Sequence, residues 1–137
     1  MTTRLALALA LSLGLSAPAY TLAAPAAAAV PASNPFFAES PLPLHYPQFD
    51  RIADSDFAPA FDAGMAQELA EIEAIASNSA APSFENTIIA LENSGAILQR
   101  ARTVFSALAG ADTNDTRKAL QTQYATRFAA HRDAIGL

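Results

Sequence analysis

The sequence predicts an all-α fold of three long amphipathic helices preceded by a proline-rich extended strap. Apolar residues recur at spacings of three and four from residue 57 onward, the mark of helical stripes. No strand-like alternation occurs after residue 50. Residues 34–50 carry Pro35, Pro41, Pro43 and Pro47, and prolines at this density exclude a helix there.

The first residues of this 137-residue chain read as a secretory signal peptide, residues 1–23. Arg4 supplies the positive start, and residues 5–15 form an apolar run of Leu and Ala broken by Ser12 and Gly14. Ala17-Pro18-Ala19 and Thr21-Leu22-Ala23 present small residues where a signal peptidase reads. Cleavage is expected after Ala23, with Ala19 the next choice. The run is too short for a membrane span, which needs about 20 residues. Residues 24–33, Ala and Pro with one Val and a final Ser33, form a linker, and residues 34–137 form the helical region. The expected location is therefore periplasmic or secreted, away from the membrane once the leader is removed.

The chain has no cysteine. That excludes a lipidated leader, disulfides and thiolate metal sites, so an exported form holds together by packing alone. The net charge is −5; loss of Arg4 with the leader takes the 8 basic residues to 7 against 13 acidic ones, a balance of −6. An acidic surface repels phosphate backbones, which argues against nucleic acid as a partner.

The strap contains Phe36, Phe37, Leu42, Leu44, Tyr46 and Phe49, too apolar for a free tail, and these side chains are expected to lie on the helices. The first helix is expected to start near Ser55, an N-cap candidate, with Pro59 tolerated in or beside the first turn. Its stripe is Phe57, Phe61, Met65, Leu69, Ile72 and Ile75, and it ends by Asn78-Ser79 and Pro82. Ser83 caps the second helix, whose stripe runs through Phe84, Ile88, Leu91, Gly95, Leu98, Phe105 and Leu108. Ile89, Ile97 and Val104 widen that stripe, which predicts more than one packing neighbour. Gly95 reads as a point of close helix approach or a kink, and Gly110 as a terminator.

The third helix opens at Thr113 or Asn114 and carries Leu120, Tyr124, Phe128, His131 and Ile135. Asn114-Asp115-Thr116 also matches a glycosylation sequon; the capping role is preferred. The wide stripes imply that these helices are part of a larger helical lobe and that the isolated chain self-associates through them.

No chemistry-bearing constellation is visible. His45 and His131 stand 86 positions apart, neither followed by Glu, so no H-E-x-x-H pair of zinc ligands is present. No G-x-S-x-G elbow and no G-x-G loop occurs. Glu71 and Glu73, two apart on a helix, cannot face each other across a site. No catalytic, cofactor-binding or metal-binding residue is assigned, and the charged residues read as a solvated face.

Residues 34–137 resemble the amino-terminal portion of bacterial peptidyl-dipeptidases, within the thimet-oligopeptidase family of zinc metallopeptidases. The resemblance lies in Asn34-Pro35-Phe36-Phe37, Ser40-Pro41-Leu42-Pro43, Pro47-Gln48-Phe49-Asp50-Arg51-Ile52 and Asp56-Phe57-Ala58-Pro59-Ala60-Phe61. It continues in residues 67–76 and is strongest over Pro82-Ser83-Phe84-Glu85-Asn86-Thr87-Ile88-Ile89-Ala90-Leu91-Glu92-Asn93-Ser94-Gly95.

The resemblance implies an almost wholly helical enzyme with two lobes around a channel. It implies a zinc that polarises the substrate carbonyl and activates water, and removal of dipeptides from the carboxyl ends of short peptides. It also implies that the zinc motif lies outside this chain, so this chain alone is expected to be inactive and to bind no zinc. The alternative reading is a stand-alone exported helical binding module of shared ancestry.

Overall fold

The computed structural model describes residues 34–136, so the expected signal peptide and linker, residues 1–33, lie outside the described residues. Every regular element among the described residues is helical. α1 spans Phe57–Ala76. A π-helical turn, Phe84–Ile89, runs into the short α2, Ala90–Glu92. α3 covers Ala96–Ala111 and α4 covers Asp115–Ile135. None of these helices is long and apolar enough to cross a membrane.

The proline-rich strap is not continuously extended. It folds into 3-10 turns at Pro35–Phe37, Pro43–His45 and Phe49–Arg51. Proline excludes an interior helical position, yet its fixed φ suits the first position of a turn, where no N–H is required. Pro35 and Pro43 both sit at that first position. Of the strap's six apolar side chains only Phe36 is fully buried; Leu44 is 98% exposed and Tyr46 62%.

α1 begins near Ser55 as expected, but Ser55 is not its cap. A further 3-10 turn, Asp54–Asp56, leads into it, and the Asp56 carboxylate accepts from the Ala53 N–H at 2.8 Å. Asp56 thus closes the turn one residue later than the expected cap. Ser83 and Asn114 do cap as read: Ser83 Oγ accepts from Asn86 N at 3.1 Å and Asn114 Oδ1 from Arg117 N at 2.8 Å.

The predicted second helix is broken at Gly95, which adopts the left-handed conformation at φ +68°. Glycine enters that region without the Cβ clash that other residues meet. Gly95 N–H donates to Glu71 Oε2 at 2.8 Å, so a carboxylate on α1 caps the opening of α3, 24 residues away. Gly95 is also closely approached by α1, since a Cβ there would stand 2.6 Å from Glu68 Cδ, and the tightest backbone approach lies at Gly64 in α1. A Cβ there would stand 2.7 Å from Leu98 N and 2.8 Å from Leu98 Cα. Gly110 does not terminate α3; the helix runs on to Ala111 and Asp112 caps it.

The core is aromatic and lies where α1, α3 and α4 meet the strap. Phe57, Phe61 and Tyr124 are its largest fully buried side chains. Phe57 and Phe61 both pack edge-on to Phe105, with centroids at 5.0 and 5.3 Å. Phe61 also meets Tyr124 and Phe128, each at 5.0 Å. Phe36 closes the cluster from the strap, 5.3 Å from Phe57. The stripes read from sequence supply this core up to Met65 on α1, from Leu98 on α3, and at Leu120 and Tyr124 on α4. Beyond it the stripe emerges: Leu69, Phe84, Ile88 and Ile89 are exposed.

Candidate functional site

Two polar constellations stand out among the described residues. The first is a seam between α1 and α4. Tyr124 Oη donates to Asp62 Oδ1 at 2.8 Å and lies 3.2 Å from the Ala58 carbonyl. Arg127 Nη1 pairs with the same Asp62 oxygen at 2.8 Å, and its guanidinium sits 4.6 Å over the Tyr124 ring. Burial, then the hydrogen bond to the Asp62 carboxylate, pushes the Tyr124 phenol up to about 12. This phenol is held protonated and positions α4 against α1.

One helical turn further along, His131 Nε2 lies 2.7 Å from Glu68 Oε2, with both side chains largely buried. This is a carboxylate–imidazole pair of the kind that can activate a nucleophile. Among the described residues, however, His131 Nδ1 is buried without a hydrogen-bond partner, and no hydroxyl, thiol or amine completes the arrangement. Within the described residues the pair ties α4 to α1. His45, the other histidine, lies on the strap, its Nδ1 3.1 Å from the Ser40 carbonyl and its Nε2 3.7 Å from Glu39 Oε1. The structure does not bring the two histidines together. Among the described residues no group of three His, Asp or Glu side chains could hold a metal ion. These residues do not fit a catalytic zinc.

The second constellation is a cleft of ≈ 660 Å³ between the strap and α3. Its floor is fixed by two anchors. Asn34 is buried, donates from Nδ2 to the Asp56 carbonyl at 2.8 Å, and accepts from Phe36 N at 3.0 Å. Arg100 on α3 donates from Nε and Nη2 to the Phe36 carbonyl at 3.2 and 3.0 Å. Pro35, Pro41, Pro47, Ile52 and Val104 form apolar walls, and Arg51 and Arg100 bring positive charge. Sequence reading assigned no role to either arginine. The anchor of Arg100 is a carbonyl 64 positions away, a partner no local pattern reveals.

A third contact joins the strap end to α4. Asp54 accepts from Asn114 Nδ2 at 2.6 Å and from Arg117 Nε at 2.7 Å. The Asn114 hydrogen bond above all, with Arg117 beside it, holds the Asp54 carboxyl below its usual value against the opposing effect of burial.

Comparison with known proteins places the chain. It is 46% identical over 105 residues to the dipeptidyl carboxypeptidase of Salmonella typhimurium, which covers 77% of this chain. It is 49% identical over 96 residues to the dipeptidyl carboxypeptidase of Escherichia coli, which covers 70% of this chain. The chain is a relative of the dipeptidyl carboxypeptidases. It spans about 15% of the length of these two relatives. No family model matches the chain.

Proposed function

We propose that this chain forms part of the helical lobe of an exported zinc peptidyl-dipeptidase, an enzyme that releases dipeptides from the carboxyl ends of short peptides. The observation that carries the reading is the identity of 46–49% to two proteins named dipeptidyl carboxypeptidase, over most of this chain but a small share of theirs. The metal ligands and the general base then belong to a different part of the polypeptide, and this chain alone is inactive. The leader at residues 1–23 directs the product to the periplasm or outside the cell.

The exposed apolar side chains support a lobe that packs on further protein. Phe84 is 63% exposed, and Ile88 and Ile89 stand beside it in the π-helical turn. One observation favours the stand-alone binding module instead: the aromatic cluster around Phe61 closes among the described residues themselves.

Capture of the native product with an antibody against this chain separates the two. The expected product is much longer than this chain and releases a dipeptide from a blocked tetrapeptide with a free carboxyl end. A chelator stops the release and zinc restores it. A captured product the size of this chain, without such activity, overturns the reading in favour of the module. Its amino terminus, read by mass spectrometry, is expected within residues 20–30; an intact Met1 overturns the export.

A further inference from the structure

We propose that the cleft between the strap and α3 binds the free carboxylate end of a peptide, with Arg51 and Arg100 supplying the charge and the proline-lined wall receiving the last side chain.

The argument begins from charge. The chain has 13 acidic residues, all of them within residues 34–136. An acidic protein has carboxylates to spare for its cations: Arg117 pairs with Asp54 and Asp112, and Lys118 and Arg127 with one carboxylate each, while exposed Arg132 on α4 pairs with none among the described residues. Arg102 instead lies over the Phe128 ring at 4.7 Å. Among the described residues no carboxylate comes within ion-pair distance of Arg51 or Arg100, and residues 1–33 contain no Asp or Glu that could. Both of these arginines line the same cleft.

Arg100 is also held in place. Its Nε and Nη2 are committed to the Phe36 carbonyl, which orders the guanidinium without neutralising it. A carbonyl partner leaves the positive charge in full, and an ordered guanidinium pays little further entropy on meeting an anion. The single acidic wall residue, Glu39, faces the His45 imidazole at 3.7 Å.

The remaining walls define the rest of the ligand. Pro35, Pro41, Pro47, Ile52 and Val104 are apolar, while Gln48, Gln99 and Thr103 offer donors and acceptors suited to a peptide backbone. A volume of ≈ 660 Å³ lies inside the range of about 300–1,000 Å³ typical of small-ligand sites. Carboxylate, backbone amide and apolar side chain together describe the end of a peptide chain. The choice of a peptide rests on the peptidase reading above; the cationic character of the cleft does not.

The test is calorimetric titration of the full 137-residue chain with three probes: acetyl-Ala-Ala-Phe with a free carboxylate, the same peptide as its amide, and hexanoate. The free acid is expected to bind saturably at one site, the amide at least tenfold more weakly. R51Q, at an exposed position, is expected to weaken the acid about tenfold while the thermal melt stays unchanged. Equal binding of acid and amide, no saturable heat, or undiminished binding by R51Q overturns the site. Hexanoate binding as tightly as the peptide overturns the peptide assignment. None of these outcomes bears on hydrolysis by the native product, which the capture experiment reads separately.

Discussion

His131 on α4 and Glu68 on α1 meet at 2.7 Å, 63 residues apart in sequence, and the other ring nitrogen of His131 is buried with no partner among the described residues. A polar pair of this kind contributes more to specifying the α1–α4 register than to net stability, because burying either member alone is costly. Glu68→Ala strands the whole imidazole, and His131→Ala strands the carboxylate and opens a void. Each is expected to destabilise by about 1–3 kcal/mol. The double substitution Glu68→Met with His131→Phe replaces both partners by apolar groups and is expected to cost less than either single change. Urea unfolding of the three variants forms the cycle. A double variant as unstable as the sum of its parts would refute the argument.

Tyr124 is expected to contribute to the alkaline limit. Its phenol is raised to about 12 in the folded state, above an unfolded value of 10.0. The folded state therefore retains a proton that the unfolded state releases, so this contribution is complete below pH 10 and is lost as pH rises through about 12. Tyr124→Phe removes the hydrogen bond to Asp62 and is expected to cost about 1 kcal/mol at neutral pH. It should also flatten the fall of Tm between pH 10 and 12. An unchanged alkaline profile in the variant would show that Tyr124 is not the group responsible.

Asp54 has the opposite sign. Its folded pKa lies below the ordinary 3.8, so its bonds to Asn114 and Arg117 stabilise above that value and fade as pH falls through the lower folded pKa. Asp54→Asn is expected to lower stability by about 0.5–1 kcal/mol at pH 6, the scale of a partly exposed ion pair. The gap between variant and parent should close in the acid range below pH 3.8. Thermal melts at stepped pH check this; a gap that persists undiminished at the acid end contradicts it.

The elements that local pattern determines were legible in the sequence. Phe57, Phe61 and Met65 lie on one helical face, and the same holds for Leu120, Tyr124 and His131; all six are buried. Ser83 and Asn114 cap because their side chains reach N–H groups three residues on, a purely local geometry. The failures are long-range. The α3 opening is capped by Glu71, 24 residues away, and the cleft is built by Arg100 and Phe36, 64 apart. No periodicity encodes such contacts. The stripe through Phe84 and Ile88 was legible as apolar, and those side chains are exposed, because periodicity shows which face is apolar and not what covers it.

Gly64 and Gly110 differ in what surrounds them. A Cβ at Gly64 meets the backbone of Leu98 at 2.7–2.8 Å, and backbone cannot yield without separating α1 from α3. Gly64→Ala is expected to cost about 1–3 kcal/mol or more, the range of an overpacked core. A Cβ at Gly110 meets nothing within 4 Å. Gly110→Ala, in the last turn of α3, is expected to stabilise by up to about 1 kcal/mol through helix propensity. Denaturant midpoints of the two variants on either side of the parent would bear this out; two shifts of the same sign would not.

Phe84, Ile88 and Ile89 form an apolar projection on the π-helical turn, 63%, 44% and 43% exposed. The turn is held by its own cap, with Ser83 Oγ accepting from Asn86 N and Asn86 Oδ1 from Ser83 N, and it contributes nothing to the buried core. Its side chains are therefore expendable for folding of the isolated chain, yet large enough to drive association, since burying one Phe or Ile contributes about 1.5–3 kcal/mol. The isolated chain is expected to bind a hydrophobic dye and to form oligomers at raised concentration. Phe84→Ser with Ile88→Ser should reduce both while shifting Tm little, because no packed core contact is removed. Sedimentation and dye titration of parent and variant decide the matter. If the parent is a dye-silent monomer, the face needs no cover and the stand-alone module gains. If the variant instead melts well below the parent, the turn supports the core and its exposure is not the cause of association.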